Sequence, residues 1–334
     1  MVRRPAALPS ALPWPVFTRA EAIRAGLSPD RLRRPDLLRL RRGLYARRGV
    51  DFREADIAAA LCRDDENVVV VGLSAARILG IPIPLHLERW DHSTPIHLST
   101  SASRGRSGTT VIWHDLSLSP RDVRKHRYQL RSSEHSSTIM LTTRARTWRD
   151  LAGHLSRNDL VAAGDHLLRR PRPDFEDRKE PWCTRDELLA VSTGRHAATL
   201  REAVTHLRIG ADSPKETQLR LAFVAAGIPE PRINVPLIGA DGAERHSPDF
   251  QWPEFRLCAE YEGVTHNDPA QVKRDIRRAR AVADAGWTEV RLFKEDLGHE
   301  CARAVRLIRD QLGARGWRPR KRIIAAQQGG LVQS

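Results

Sequence analysis

The sequence predicts a multidomain protein of mixed α+β and α/β class, and three observations predict it. At 334 residues the chain is long enough for two or three cores. Its segments differ in apolar pattern. A charged, Pro-containing stretch, Arg169-Arg-Pro-Arg-Pro-Asp-Phe-Glu-Asp-Arg-Lys-Glu-Pro181, reads as a linker. The expected division is a helix-turn-helix with a basic hairpin over 1–50 and an α/β middle domain over 51–170. A linker and helix over 171–210 come next, then an α/β unit over 211–314 and a flexible basic tail over 315–334.

Residues 1–15 are Pro-rich and read as a loose arm. Thr18-Arg-Ala-Glu21 is a capping box that opens a short helix, which Gly26 ends. Ser28-Pro29 places a Ser cap before Pro at the first helical position, predicting a second helix that carries Arg31, Arg33 and Arg34. Leu38, Leu40 and Leu44 alternate with Arg39, Arg41 and Arg42 around Gly43, predicting a basic hairpin. Helix, turn, basic helix and basic wing is the pattern of a winged helix-turn-helix. Eight arginines between 31 and 48 face one acid, Asp36. The second helix would enter a DNA groove while Arg39, Arg41 and Arg42 hold phosphates.

The charge of the whole chain points the same way. The formal net charge is +15, and only six of the 56 basic residues are Lys. Arg makes bidentate phosphate contacts, so DNA is the expected partner. Cys62, Cys183, Cys258 and Cys301 are far apart and form no C-x-x-C, which excludes a zinc knuckle and a disulfide framework and points to the reducing cytoplasm. The longest strongly apolar run, Val68 to Val71, is far short of a membrane span, so no membrane partner is expected.

Phe17-Thr-Arg-Ala-Glu-Ala through Gly43-Leu-Tyr-Ala46 resembles the N-terminal winged-helix domain of AbiEi-type antitoxins of type IV toxin–antitoxin systems. Gly72-Leu-Ser-Ala-Ala-Arg77-Ile-Leu-Gly80-Ile-Pro82 and Thr143-Arg-Ala-Arg-Thr-Trp148-Arg-Asp150 resemble the segments that accompany that domain. The resemblance implies operator binding, repression of the protein's own operon and a toxin protein as a second partner. Within the middle domain, Trp148-Arg-Asp-Leu-Ala reads as a packed helix, and Ser74, His86, His92, His97 and His114 as structural.

Residues 211–314 carry the most chemistry. Ser213-Pro214-Lys-Glu216 starts a helix running to Gly227. Strands are expected over 232–238, 246–252 and 256–261, with a turn at Ala240-Asp-Gly242. A helix from Asp268, a strand over 288–293 and a helix over 296–312 complete the order α-β-β-β-α-β-α. Asp249 opens one strand, and Glu260 and Glu262 end the next, on one face and roughly 7 Å apart at Cα. Carboxylates gathered in this way raise each other's pKa unless a cation lies between them. A hard divalent ion with oxygen ligands, Mg²⁺ or Mn²⁺, suits such a set, and Glu216 on the flanking helix could add a fourth carboxylate.

This order and these acids resemble the PD-(D/E)xK nuclease core, and more closely the Vsr-like endonucleases. The carrying residues are Glu216, Pro248-Asp249-Phe250, Glu260-Tyr-Glu262-Gly263 and His266. The resemblance implies Asp249 and Glu260 as metal ligands, Glu216 acting through the metal's water shell, and His266 as general acid/base or phosphate contact. Glu262 stands where the wider fold keeps lysine, which leaves the lysine's role to His266, Lys273 or the metal. The expected function is metal-dependent hydrolysis of DNA phosphodiester bonds. The alternative is an antitoxin-like repressor whose C-terminal unit does not cut.

Overall fold

Capping, hairpin and strand signals organise a computed structural model that describes residues 7–101, 107–129, 135–173, 176–239, 242–263 and 278–319. The chain is a mixed α+β protein of two units, 1–209 and 210–334.

In the first unit, β1 (Val16–Thr18) leads into α1 (Arg19–Arg24). The Thr18 hydroxyl accepts from the Glu21 amide, and the Glu21 carboxylate accepts from the Thr18 amide at 2.8 Å. Strands β2 (Leu37–Arg41) and β3 (Leu44–Arg47) form the expected hairpin around Gly43, whose φ of 83° suits glycine. The small sheet has the order β1-β3-β2.

Two expectations for this segment are corrected. The second helix is a single 3-10 turn, Arg31–Arg33. Arg34 precedes Pro35 and is extended, with φ −72° and ψ 148°, because the proline ring disfavours a helical residue before it. The Pro-rich arm is packed from Leu8 onward: Leu12 is buried against Phe17, Ala22, Leu27, Leu32 and Leu37.

Segment 1–50 also shares its core with the residues after it. Val16, Leu44 and Ala46 pack with Phe52, Ala55 and Ala59, the last two on α2 (Glu54–Asp64). On the same helix Arg63 donates to Glu21 at 2.6 Å and to the Val16 carbonyl at 3.1 Å. The boundary expected at residue 50 therefore falls inside one apolar core.

The five-stranded sheet of this unit contains β4 (Val68–Val70), β5 (Ile96–Thr100), β6 (Val111–His114), β7 (Val123–Gln129) and β8 (Ser136–Thr142), in the order β6-β5-β4-β8-β7. The apolar run at Val68 is the central strand, buried on both faces, as a continuous apolar run requires. Helices α3 (Gly72–Leu79), α4 (Leu85–Glu88), α5 (Arg144–Asp150) and α6 (Arg157–Leu168) belong to this unit. Trp148 on α5 is fully buried and donates to the Leu160 carbonyl at 2.9 Å, so the expected packed helix is present. Helices α7 (Arg185–Ala190) and α8 (Ala197–His206) belong to the same unit: Arg185 donates to the Val204 and Leu207 carbonyls at 2.6 and 2.5 Å. The unit boundary falls after Ile209, beside the one expected between 210 and 211, whereas the division expected at residue 170 lies inside the first unit.

The second unit contains α9 (Pro214–Ala225), β9 (Arg232–Ile233), β10 (Phe250–Trp252) and β11 (Leu257–Glu262). A helical run over 278–284 (α10), β12 (Thr288–Phe293) and α11 (Gly298–Ala314) complete it. The element order is the expected one, although the helix start expected at Asp268 lies outside the described residues. The sheet order is β12-β11-β10-β9. β9, β10 and β11 pair antiparallel, whereas β12 is parallel to β11.

The first two strands are shorter than expected. Asn234 adopts φ 50°, and its side chain donates to the Gly210 carbonyl and to Glu216 at 2.8 and 2.7 Å. Pro236 and Pro248 bring no N–H to a ladder. One face of the sheet buries Phe250, Trp252, Leu257, Ala259 and Leu292 against Leu219 and Phe223 of α9 and Ala304 and Ile308 of α11. Cys258 packs instead with Val282, Ala285 and Trp287. Period-two alternation therefore sends Glu260 and Glu262 to the Cys258 face. In the expected tail, Trp317 is buried in the larger of these two clusters, and 320–334 lie outside the described residues.

Candidate functional site

Register builds the site. Phe250 pairs with Ala259 and Gln251 with Cys258, so the ladder continued by one residue sets Asp249 beside Glu260. Asp249 makes its contact with β11 through its side chain, accepting from the Tyr261 amide at 2.7 Å. Glu216, in the first turn of α9, is buried and accepts from the Asp212 amide at 2.9 Å and from Asn234 at 2.7 Å. The three acids expected to act together are thus brought together. Burial, then the charges of Glu216 and Glu260, push the Asp249 carboxyl up to about 7, against the Tyr261 hydrogen bond and the more distant Arg278, which lower it.

Glu260 and Glu262 are held by cations. Arg278 on α10 donates to Glu260 at 3.0 Å and to Glu262 at 3.1 Å. Arg291 on β12 lies 2.9 Å from Glu262 and 3.2 Å from Glu289. His246 meets the other oxygen of Glu260 at 3.1 Å. Glu262, in the expected lysine position, therefore gathers two guanidinium groups there. His266 and Lys273 lie outside the described residues.

Sequence reasoning misses His246, Arg278, Glu289 and Arg291. A signal exists for Glu289 and Arg291: they alternate with Val290 and Leu292, the same period-two charge pattern that marks Glu260 and Glu262. His246 and Arg278 carry no such local signal, because neither lies on a described strand.

The six arginines expected to bind DNA are not equivalent. Arg31 is mostly buried and grips Asp36 with two hydrogen bonds at 2.9 and 2.6 Å. Arg41 is half-buried, and desolvation lowers its pKa. Arg33, Arg34, Arg39 and Arg42 are exposed. No helix among the described residues is long and apolar enough to cross a membrane.

Together these features define a mixed α+β protein of two units with a carboxylate- and arginine-lined site on the second. No family model matches the chain. It is similar to two Mycobacterium tuberculosis proteins, "Uncharacterized protein MT2308" of strain CDC 1551 / Oshkosh and "Uncharacterized protein Rv2248" of strain H37Rv. Each is 29% identical over 279 residues, covering 82% of this chain and 92% of the relative. An alignment of that length includes residues of both units, so the similarity is not confined to one of them.

Proposed function

We propose that the protein binds DNA through its N-terminal segment, the one that resembles a winged-helix domain, chiefly by the basic hairpin β2–β3, and hydrolyses DNA phosphodiester bonds at a metal-dependent, PD-(D/E)xK, Vsr-like site in its second unit. The observation that carries this reading is the convergence of Asp249, Glu260 and Glu216 at the junction of β10, β11 and α9, with Asp249 pushed up to about 7 by burial among like charges. Such a set of oxygen donors fits Mg²⁺ or Mn²⁺, with Asp249 and Glu260 as ligands and Glu216 beside them. The bound ion supplies polarisation of a phosphate and a more acidic water. Arg278 and Arg291, gathered by Glu262, stand in for the absent lysine by setting positive charge where a phosphate would enter. Asn234 and the Asp212 amide fix the orientation of Glu216.

The test is cleavage of supercoiled plasmid by the full chain with Mg²⁺ or Mn²⁺. Nicked or linear product that disappears on chelation is expected, and no product with either ion overturns the reading.

One observation favours a second reading, an antitoxin-like repressor that does not cut. Arg278 already neutralises Glu260 at 3.0 Å, so part of the acidic set is balanced from within the chain. That reading keeps DNA binding and a toxin partner and predicts intact operator binding in Asp249→Ala.

Both readings share a prediction about the N-terminal arginines. Replacing Arg33, Arg39 and Arg42 by Ala should make the salt dependence of duplex binding shallower by about 2–3 in log–log slope, since each phosphate contact contributes about 0.9. Arg31→Ala should leave the slope unchanged and lower the stability of the first unit, because Arg31 is committed to Asp36. Fluorescence anisotropy across a salt series decides between these outcomes, and an unchanged slope in the triple variant removes the N-terminal hairpin from the DNA interface.

A further inference from the structure

Around Glu260, between the segment ahead of β10 and strand β12, lies a group of side chains with its own chemistry. His246, Glu260 and Glu289 each offer one ligand atom, and these atoms lie within 4.8 Å of one another. Their positions are set independently. Glu260 and Glu289 project from the parallel strands β11 and β12, where Glu289 pairs with Cys258 and Arg291 with Glu260. His246 is placed by the irregular ladder ahead of β10, in which the Leu237 amide donates to the His246 carbonyl at 3.0 Å.

A second observation points to a ligand. Glu289 is about nine-tenths buried, and its Oε1 has no hydrogen-bond partner among the described residues. The Arg278 Nε faces that oxygen at 3.9 Å, too far for a hydrogen bond. Its other oxygen accepts from Arg291 at 3.2 Å, so the carboxylate keeps one buried oxygen without a hydrogen bond, a desolvation cost that an ion bound directly to it would reduce. Glu260 presents one oxygen to His246 and the other to Arg278, so a modest withdrawal of the guanidinium frees both carboxylates toward the imidazole.

We propose that His246, Glu260 and Glu289 form a binding site for a borderline divalent metal ion, of the Zn²⁺ or Co²⁺ type, that competes with the Arg278 guanidinium. The donor set decides the ion class. Mg²⁺ favours oxygen ligands and retained water, whereas an imidazole with two carboxylates suits borderline ions, at about 2.0–2.2 Å per ligand for zinc. The site shares Glu260 with the proposed cleavage site, but His246 and Glu289 are not among the acids assigned to that reaction.

The experiment uses the full chain and Co²⁺ as a spectroscopic probe, read by its visible absorption, with Zn²⁺ competition and bound-metal analysis alongside. One Co²⁺ displaced by Zn²⁺ but not by comparable Mg²⁺ is expected. His246→Gln and Glu289→Gln should each weaken binding about tenfold or more, while Asp249→Asn retains it. Arg278→Ala should tighten it. The idea is overturned if wild type takes up no Co²⁺, if both ligand variants bind as wild type does, or if Asp249→Asn alone abolishes binding, which would put the ion at the other carboxylates. The two ligand variants are independent, so loss of folding in one leaves the other to decide. Cleavage is not read, so failure here is distinct from failure of the nuclease reading.

Discussion

Asp249→Asn is expected to stabilise the metal-free protein at pH 8 while abolishing any divalent-ion-dependent cleavage. Burial and the neighbouring Glu216 and Glu260 raise Asp249 to about 7. A carboxyl raised in the folded state holds a proton that the unfolded chain has already released. The stability contributed by that proton is fully present below pH ~4 and is lost as the pH rises to about 7. The neutral amide of Asn has nothing to lose over that window. Its advantage over wild type should therefore be small at pH 4, grow to pH 7 and level off above it, reaching on the order of 2–4 kcal/mol. Urea unfolding from pH 4 to pH 8 with a chelator present measures the difference. Added Mg²⁺ should reverse the order, stabilising wild type and leaving the variant unmoved. In the plasmid assay the variant should lose more than the about 10–100-fold typical of removing an outer-sphere partner. A stability difference that does not change with pH would mean that Asp249 is not buried among like charges.

Arg278→Ala is expected to be the most damaging surface-proximal substitution in the second unit. Its guanidinium lies between Glu260 and Glu262, each 13% exposed at the side chain. Removing it leaves Glu260 to His246 and Glu262 to Arg291. Breaking a buried pair by deleting one partner costs about 3–5 kcal/mol, largely because the surviving charge remains desolvated. Glu260→Gln in the Arg278→Ala background should recover a substantial part of that loss, as should added Zn²⁺. If the single variant unfolds at the wild-type urea concentration, Arg278 does not neutralise these acids. Recovery in the double variant separates charge from packing, since the Gln side chain restores no contact at the truncated position.

Much of the site is legible without the fold. Asp249, Glu260 and Glu262 stand out because strands alternate and acids on one face need a reason. Glu216 stands out as a first-turn acid on a capped helix. The six arginines cannot be ranked from sequence, because the Arg31–Asp36 grip and the partial burial of Arg41 depend on a backbone that leaves the helix at Arg34. The boundary expected between 210 and 211 falls beside the observed one, but the two earlier divisions do not hold, for a related reason. Composition changes near residues 50 and 170, but Val16, Leu44 and Ala46 finish the core that α2 begins, and α7 and α8 remain with the first unit.

The sequence by itself determined the order of elements in the second unit, the capping box at Thr18, the hairpin around Gly43 and the face on which the acids lie. Each is governed by forces acting over a few residues: caps, turns and side-chain period. The tertiary structure alone decided which cations meet those acids. Arg278 and Arg291 reach Glu262 from positions 16 and 29 residues further along, and His246 reaches Glu260 from 14 residues before it. That choice depends on a parallel pairing of β11 with β12 and on the crossover between them, and no local preference records which register such a pairing will take.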